Sequence, residues 1–187
     1  RTMNPLLVFF SAACAATVVA PAARGAESPA LAPVSVRSAE DPHYADDQRQ
    51  FQGIPSIAIT PGGRLWATWY SGGAGEGPDN YVLLATSADR GHTWSKPVQV
   101  IDPPSPVRGY DAVVWCDPRG QLWWFHAQTY GSWDGRAGVW ARVSTNADDP
   151  LPTWSEPRRI ADGIMMNKPT VTRGGRWLFP IARWALK

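Results

Sequence analysis

Side chains that could bind or transform a polar ligand fall in five short segments of this sequence, each next to a predicted strand. Three segments open strands, at 51–55, 108–111 and 166–169, and two are longer loops, at 71–80 and 129–137. Carboxylates, cations and an aromatic residue together suit a polar sugar, uncharged to anionic, and a carboxyl could serve as general acid or base. The candidates are Gln52, Glu76, Asp79, Arg108, Tyr110, Asp111, Trp133, Asp134, Arg136, Asn167 and Lys168.

An internal repeat would position these segments. Glycine turns that precede a strand fall at residues 63, 120 and 175, which are 57 and 55 positions apart, and Trp-Ser-x-Pro sequences begin at residues 94 and 154, 60 apart. Two independent marks of nearly one period predict a propeller or a solenoid. Each unit contains four short runs rich in β-branched and aromatic residues, as a four-stranded blade requires. The predicted strands are 54–60, 65–70, 81–86 and 98–101 in the first unit, 112–116, 122–128, 138–144 and 158–161 in the second, and 169–173 as the innermost strand of the third.

The octapeptide from Ser87 to Trp94 reads S-x-D-x-G-x-T-W, and a degenerate copy runs from Ser144 to Trp154. It resembles the Asp-box of the sialidase, or BNR-repeat, superfamily. We expect Asp89 to cap backbone N–H groups, Gly91 to take a positive φ and Trp94 to bury its ring between sheets. The motif is architectural. The resemblance implies an all-β fold, a β-propeller of the sialidase type with six blades in the whole protein, of which this chain covers the first two to three.

The resemblance also implies where a ligand binds, namely the face on which the innermost strands begin. Residues 51–55, Phe-Gln-Gly-Ile-Pro, resemble the family's F/Y-R-I-P segment, and residues 75–80 resemble the loop that carries its acid/base Asp. Glu76 falls within one residue of that Asp, with Asp79 as the alternative. Where the family has an Arg that binds the sialic acid carboxylate, this sequence has Gln52 and Gly53. Neither residue can make a bidentate, charge-assisted pair of hydrogen bonds with a carboxylate.

The activity implied is that of an exo-glycosidase on terminal glycan sugars, with Glu76 or Asp79 protonating the leaving oxygen and a glycan as the partner. The family's nucleophilic Tyr and its other Arg residues would lie beyond residue 187. Three alternatives stay open: a sialidase whose clamp uses Lys168 or Arg108, a propeller hydrolase or lyase for a non-sialic sugar, and a non-catalytic glycan-binding propeller. The plainer interpretation is that Asp111 and Asp134 only brace turns. His126, at a strand end, is a further acid or base candidate or simply a hydrogen-bonded side chain.

Composition excludes several other classes. The net charge is +2, from 18 basic and 16 acidic residues without like-charge runs, which argues against nucleic acid. No metal-ligand spacing, phosphate loop or G-x-S-x-G sequence occurs, so no metal or cofactor is predicted. Most of the 11 Trp residues are expected to pack between blades. These are Trp66, Trp94, Trp115, Trp123, Trp140, Trp154 and Trp177.

The first 22 residues have the pattern of a secretory signal peptide, with an apolar run too short to span a membrane and a small-x-small cleavage site. A secreted or periplasmic protein is therefore predicted, with a lipoprotein anchored through Cys14 as the less favoured alternative. Residues 23–49 are predicted to be a linker in which 34–36 form a strand that helps to close the ring. Residues 50–187 would be a partial propeller, the N-terminal piece of a longer protein, and its single cysteine, Cys116, is expected to be buried.

Overall fold

The computed structural model describes residues 32–130 and 136–183, and within them the chain is built almost wholly from short antiparallel strands. Two 3-10 helices lie at Pro42–Tyr44 and Asp46–Gln48. The strands are β1 (Val36–Ser38), β2 (Gln52–Ile59), β3 (Leu65–Ser71), β4 (Tyr81–Ser87), β5 (Gln99–Ile101), β6 (Val107–Cys116), β7 (Leu122–Tyr130), β8 (Gly138–Ser144), β9 (Arg158–Asp162), β10 (Ile164–Met165), β11 (Thr170–Val171), β12 (Trp177–Leu178) and β13 (Ile181–Ala182).

Two sheets of the blade type form most of the molecule. The first has the strand order β1-β5-β4-β3-β2 and the second the order β6-β7-β8-β9, so β2 and β6 occupy the same edge of their sheets. The eight strands predicted for the first two units are all present, and β2 and β6 are the innermost strands as expected. Strand β6 begins at Val107, earlier than the predicted 112, so the segment 108–111 lies inside a strand.

The glycine turns that revealed the repeat are structurally the same. Gly63, Gly120 and Gly175 have φ values of 90°, 78° and 76°, which side chains rarely adopt. Each glycine donates its N–H to the carbonyl three residues earlier, at distances of 3.0, 2.9 and 2.9 Å. The requirement for a positive φ explains why glycine recurs at this period.

The Asp-box turn has the predicted polar contacts. The Asp89 carboxylate accepts hydrogen bonds from Thr93 N at 2.9 Å, Thr93 Oγ1 at 2.6 Å and Ser87 Oγ at 2.8 Å. These bonds lower the pKa of Asp89. Asn146 replaces it in the second copy and accepts from Thr153 N at 3.0 Å.

The prediction that Trp94 is buried is wrong, because its side chain is 41% exposed. Trp154, at the matching position, packs between the two sheets and donates from Nε1 to Gln99 Oε1 at 2.8 Å. Among the described residues, Trp154 has the first sheet beside it, and no sheet lies in the equivalent place next to Trp94. Cys116 was expected to be buried and is only partly so.

The two sheets pack through an apolar interface with a few buried hydrogen bonds. Trp66 and Trp124 are both fully buried in it. Trp124 Nε1 donates to Thr68 Oγ1 at 2.8 Å, and Trp66 Nε1 donates to the Ala147 carbonyl at 2.8 Å. Each indole therefore contributes apolar area and also satisfies its own N–H group, which fixes how the sheets are placed.

A third hairpin follows the second sheet in two short pieces. Strand β10 pairs with β13, and β11 pairs with β12 across the turn at Gly175. Its Trp177 ring lies 4.8 Å from Trp115 and 5.6 Å from Trp123, both at an interplanar angle of 90°. The arrangement repeats the contact between sheets one and two, and Thr170–Val171 falls within the predicted innermost strand 169–173.

The described part of the predicted linker is docked onto the sheets. Strand β1 is the outermost strand of the first sheet, two residues later than the 34–36 predicted to close the ring. Ahead of it, the backbone carbonyls of Ala32 and Val34 accept hydrogen bonds from Gln128 and Arg142 of the second sheet. The chain from residue 32 to β1 therefore connects the two sheets, because its start is bonded to the second sheet and β1 belongs to the first.

The predicted signal peptide, Cys14, Trp133 and Asp134 lie outside the described residues. Among residues 32–130 and 136–183, no helix has the length and apolar character needed to cross a membrane. The same part of the chain contains no group of three His, Cys, Asp or Glu side chains able to hold a metal ion.

Candidate functional site

The loop between β3 and β4 is shaped by one buried amide. Asn80 accepts from Gly77 N at 2.8 Å and donates to the carbonyls of Gly72 and Gly75 at 2.8 and 2.9 Å. Its own carbonyl accepts from Gly109 N of β6 at 2.8 Å. The loop that carries Glu76 is thus tied to the first part of the second innermost strand.

Glu76 is held by a donor from each of the two sheets. Tyr70, near the end of β3, donates from its hydroxyl to Glu76 Oε1 at 2.8 Å. Arg108, near the start of β6, places Nη2 3.5 Å from Glu76 Oε2. The Glu76 side chain is nevertheless 48% exposed, whereas that of Arg108 is 1% exposed. The carboxyl is therefore oriented by the protein and still open to a ligand.

Two tyrosine rings enclose the Arg108 guanidinium. Its central carbon lies 4.2 Å from the Tyr110 ring centroid and 5.8 Å from that of Tyr70. The two rings are themselves in edge contact, with centroids 6.2 Å apart. Such cation–π contacts favour a desolvated guanidinium and compensate part of the cost of burying its charge. Burial and the nearby Glu76 carboxylate raise the pKa of Tyr70, so its hydroxyl remains a donor.

Asp111 is a second carboxyl beside the same cation. It lies in a bulge of β6, between Tyr110 and Val113, with an unusual φ of 44°. Burial raises its pKa to about 6, the Arg108 charge opposes this rise, and the Glu76 charge adds to it. The prediction that polar side chains of 71–80 and 108–111 converge is met by Glu76, Arg108, Tyr110 and Asp111.

Other predicted site residues lie apart from this cluster. Gln52 is exposed and lines a separate cavity of about 320 Å³ with Trp69. Lys168 is exposed and its ammonium donates to the Ile57 carbonyl of β2. Asn167 and Asp79 are also exposed. The exposed Arg136 places its guanidinium 4.1 Å from the Tyr130 ring.

His126 is fully buried, so its candidacy as an acid or base for a ligand is not supported. Its Nε2 lies 2.8 Å from Gln128 Oε1. Burial, together with the Arg142 charge, lowers its pKa to about 3. The ring is therefore neutral near pH 7 and is a buried, hydrogen-bonded side chain.

Tyr70 is the site residue that sequence reasoning missed. It was predicted only as the end of a strand, although the end of β3 and the loop that follows share the ligand face. The residue paired with it on β2 is Gly53. A Cβ atom at residue 53 would overlap the Tyr70 ring, so this glycine makes room for the phenol. A small residue opposite a large polar one at a strand end was the available signal.

A larger cavity lies elsewhere in the molecule. It has a volume of about 890 Å³ and is lined by β1, by the segments after both Asp-boxes and by Arg142. It contains none of the carboxyls of the Glu76 cluster. The cluster remains the better candidate for chemistry, because it combines an exposed carboxyl, a buried cation and two phenols.

Comparison with known families agrees with this architecture. A family model described as a BNR repeat-like domain matches residues 63–185, well over half of the chain. The chain belongs to the BNR repeat-like family. The matched range of this BNR repeat-like protein includes both Asp-box turns and the Glu76 cluster. No curated protein sequence matches the chain.

A solved structure shows a similar fold. The chain superposes on the Hadza microbial sialidase Hz136 with a TM-score of 0.54 and 22% sequence identity. The match covers 72% of this chain and 32% of that sialidase, so the chain spans about a third of its length. This likeness and the sheet topology identify the fold as an all-β propeller of the sialidase type.

Proposed function

We propose that this BNR repeat-like protein is a glycoside hydrolase that removes terminal sugars from glycans, with Glu76 as its general acid and base. The observation that carries the proposal is the exposed Glu76 carboxyl, oriented by Tyr70 and Arg108. The exo mode of action rests on the resemblance to sialidases. The proposal includes export from the cytoplasm, on the strength of the leader pattern in residues 1–22.

The contacts of Glu76 suit a group that gives and takes back a proton. Tyr70 donates to Oε1 and Arg108 Nη2 lies 3.5 Å from Oε2, so each carboxyl oxygen has a donor that orients it. When Glu76 gives its proton to the glycosidic oxygen, the bond from that oxygen to the anomeric carbon breaks, and the phenol and the guanidinium stabilise the carboxylate that remains. The carboxylate then accepts a proton from the water whose oxygen becomes bonded to the anomeric carbon.

Glu76→Gln tests this role in the full-length protein. We expect kcat to fall by about 10² to 10⁴ on substrates with poor leaving groups, the range for loss of general acid–base catalysis. Aryl glycosides with activated leaving groups should lose less, because their leaving oxygen needs little protonation. Steady-state rates on a natural glycan and on a 4-nitrophenyl glycoside measure the difference.

Asp79→Asn is the matched control, because Asp79 is an exposed acid in the same loop. Full activity of Glu76→Gln with loss in Asp79→Asn would transfer the role to Asp79. Full activity of both would remove the loop from the mechanism and leave Asp111 and Asp134 as the acids to test. Glycan binding without hydrolysis by the wild type would indicate a non-catalytic module, and an unsaturated product would indicate a lyase.

A further inference from the structure

The cations predicted to bind a ligand have partners within the described part of the protein. Arg108 is paired with Glu76 in the cluster. Outside the cluster, Lys168 donates to the Ile57 carbonyl and Arg136 lies on the Tyr130 ring. A ligand carboxylate would have to compete with an existing partner for any of these charges.

Arg108 is the cation nearest the exposed carboxyl, and its surroundings leave little attraction for an anion. Its charge is balanced by the Glu76 carboxylate at 3.5 Å, and the Asp111 carboxyl interacts electrostatically with both Arg108 and Glu76. With two acids around one guanidinium, the cluster is neutral when one acid is protonated and negative when both are ionised. An anionic sugar entering here meets net repulsion at short range, where Coulomb interactions in a partly buried site are strong.

The exposed part of the cluster also favours an uncharged ligand. Arg108, Tyr70 and Tyr110 are each 1% exposed, whereas the Glu76 side chain is 48% exposed. A ligand therefore meets the Glu76 oxygens, which accept hydrogen bonds from sugar hydroxyl groups and repel a carboxylate.

We infer that the sugar bound at this cluster is uncharged, so that the substrates are glycosides of neutral sugars rather than of sialic or uronic acids. The inference rests on the proposed function for its catalytic part, but it concerns binding and can be tested apart from hydrolysis.

Saturation-transfer NMR on the full-length protein compares two sets of probes. The neutral set contains the methyl glycosides of D-galactose, L-rhamnose and N-acetyl-D-glucosamine, and the anionic set those of N-acetylneuraminic acid and D-glucuronic acid. We expect at least one neutral probe to bind at least tenfold more tightly than either anionic probe. Equal or tighter binding of an anionic probe, or no binding of any neutral probe, overturns the inference.

Hydrolysis of the matching 4-nitrophenyl glycosides separates the two proposals. Cleavage of a neutral glycoside with kcat/KM at least 100-fold above the anionic ones supports both. Preferred cleavage of a sialoside or glucuronide overturns the inference and leaves the hydrolase proposal standing. Binding of neutral probes without any cleavage has the reverse effect, supporting the inference and overturning the hydrolase proposal.

A charge variant tests the physical cause. Glu76→Gln removes the carboxylate that pairs with Arg108, so affinity for methyl glucuronide should rise about tenfold. Asp79→Asn removes one negative charge from the same loop without affecting that pair, and it should change the affinity less than twofold. Equal effects of the two variants, or no gain in Glu76→Gln, would show that pairing of Arg108 does not set the preference.

Discussion

Replacing Asp111 by Asn should stabilise the protein, by an amount that depends on pH. The folded pKa of Asp111 is about 6, against an unperturbed value of 3.8. Well below pH 3.8 the carboxyl is neutral in both the folded and unfolded states, so its burial costs no charge desolvation. Between pH 3.8 and about 6 the unfolded state is ionised while the buried carboxyl still holds its proton, so the folded state loses stability as pH rises, and the loss is complete once Asp111 ionises above pH 6.

The size of this loss follows from the two pKa values. They differ by roughly two, and one pKa unit corresponds to about 1.36 kcal/mol, so the penalty above pH 7 is about 3 kcal/mol. Asn has nearly the shape of the neutral acid, tolerates the φ of 44° and carries no charge. Asp111→Asn should therefore match the wild type at about pH 3 and exceed it by about 3 kcal/mol at pH 8.

Urea unfolding followed by tryptophan fluorescence, from about pH 3 to pH 8, measures this difference. Asp79→Asn, at an exposed position, serves as the reference and should give a difference that stays flat over the range. The reasoning fails if the stability gain of Asp111→Asn does not grow with pH, because burial of the ionised carboxyl would then not be the cause.

Two further predictions concern residues that support the site and the sheet interface. Gly53→Ala should push the Tyr70 ring away from Glu76 and cost about 1 to 3 kcal/mol, as overpacking does, whereas Gly77→Ala, with open space around it, should be neutral; urea unfolding and activity check both. His126 has a folded pKa of about 3 against 6.5, so stability should fall as pH drops below 6.5, because protons then favour the unfolded state. Calorimetry should find this fall reduced in His126→Gln, and an unchanged pH profile would contradict the buried neutral ring.

The repeat could be predicted from sequence because local chemistry fixes it. A positive φ at Gly63, Gly120 and Gly175 requires glycine whatever the tertiary structure. The Asp-box contacts also lie within a few residues of Asp89, so the motif alone was enough to predict them. Several strand limits were predicted closely because turn residues bound those strands, whereas β6 begins at Val107 rather than at the predicted 112.

The parts that could not be predicted depend on contacts distant in sequence. The bulge at Asp111 exists only in the register of β6 against β7, and a sequence pattern does not report such a register shift. The docking of Val34 depends on Arg142, which is 108 residues away. Trp94 and Trp154 share a motif but differ in burial, because within residues 32–130 and 136–183 Trp154 packs against the first sheet and Trp94 has no equivalent sheet beside it.

Tyr70 and Tyr110 show what alignment of the repeats does not predict, namely which strand carries a given side chain. In the first unit Gly53 of the innermost strand pairs with Tyr70, and in the second unit Tyr110 of the innermost strand pairs with Ala127. The tyrosine is therefore on β3 in the first unit and on β6 in the second, with a small residue opposite it in each case. Each unit supplies one phenol, and the centroids of the two rings lie 6.2 Å apart. The interface between sheets requires one ring and one small residue per pair, and either strand can provide the ring. In the first unit the ring is on the strand that leads into the loop, and the Tyr70 hydroxyl donates to Glu76 there. The period thus predicts the layer in which the candidate site lies, whereas the side chain that binds the Glu76 carboxyl is set by packing across the sheets.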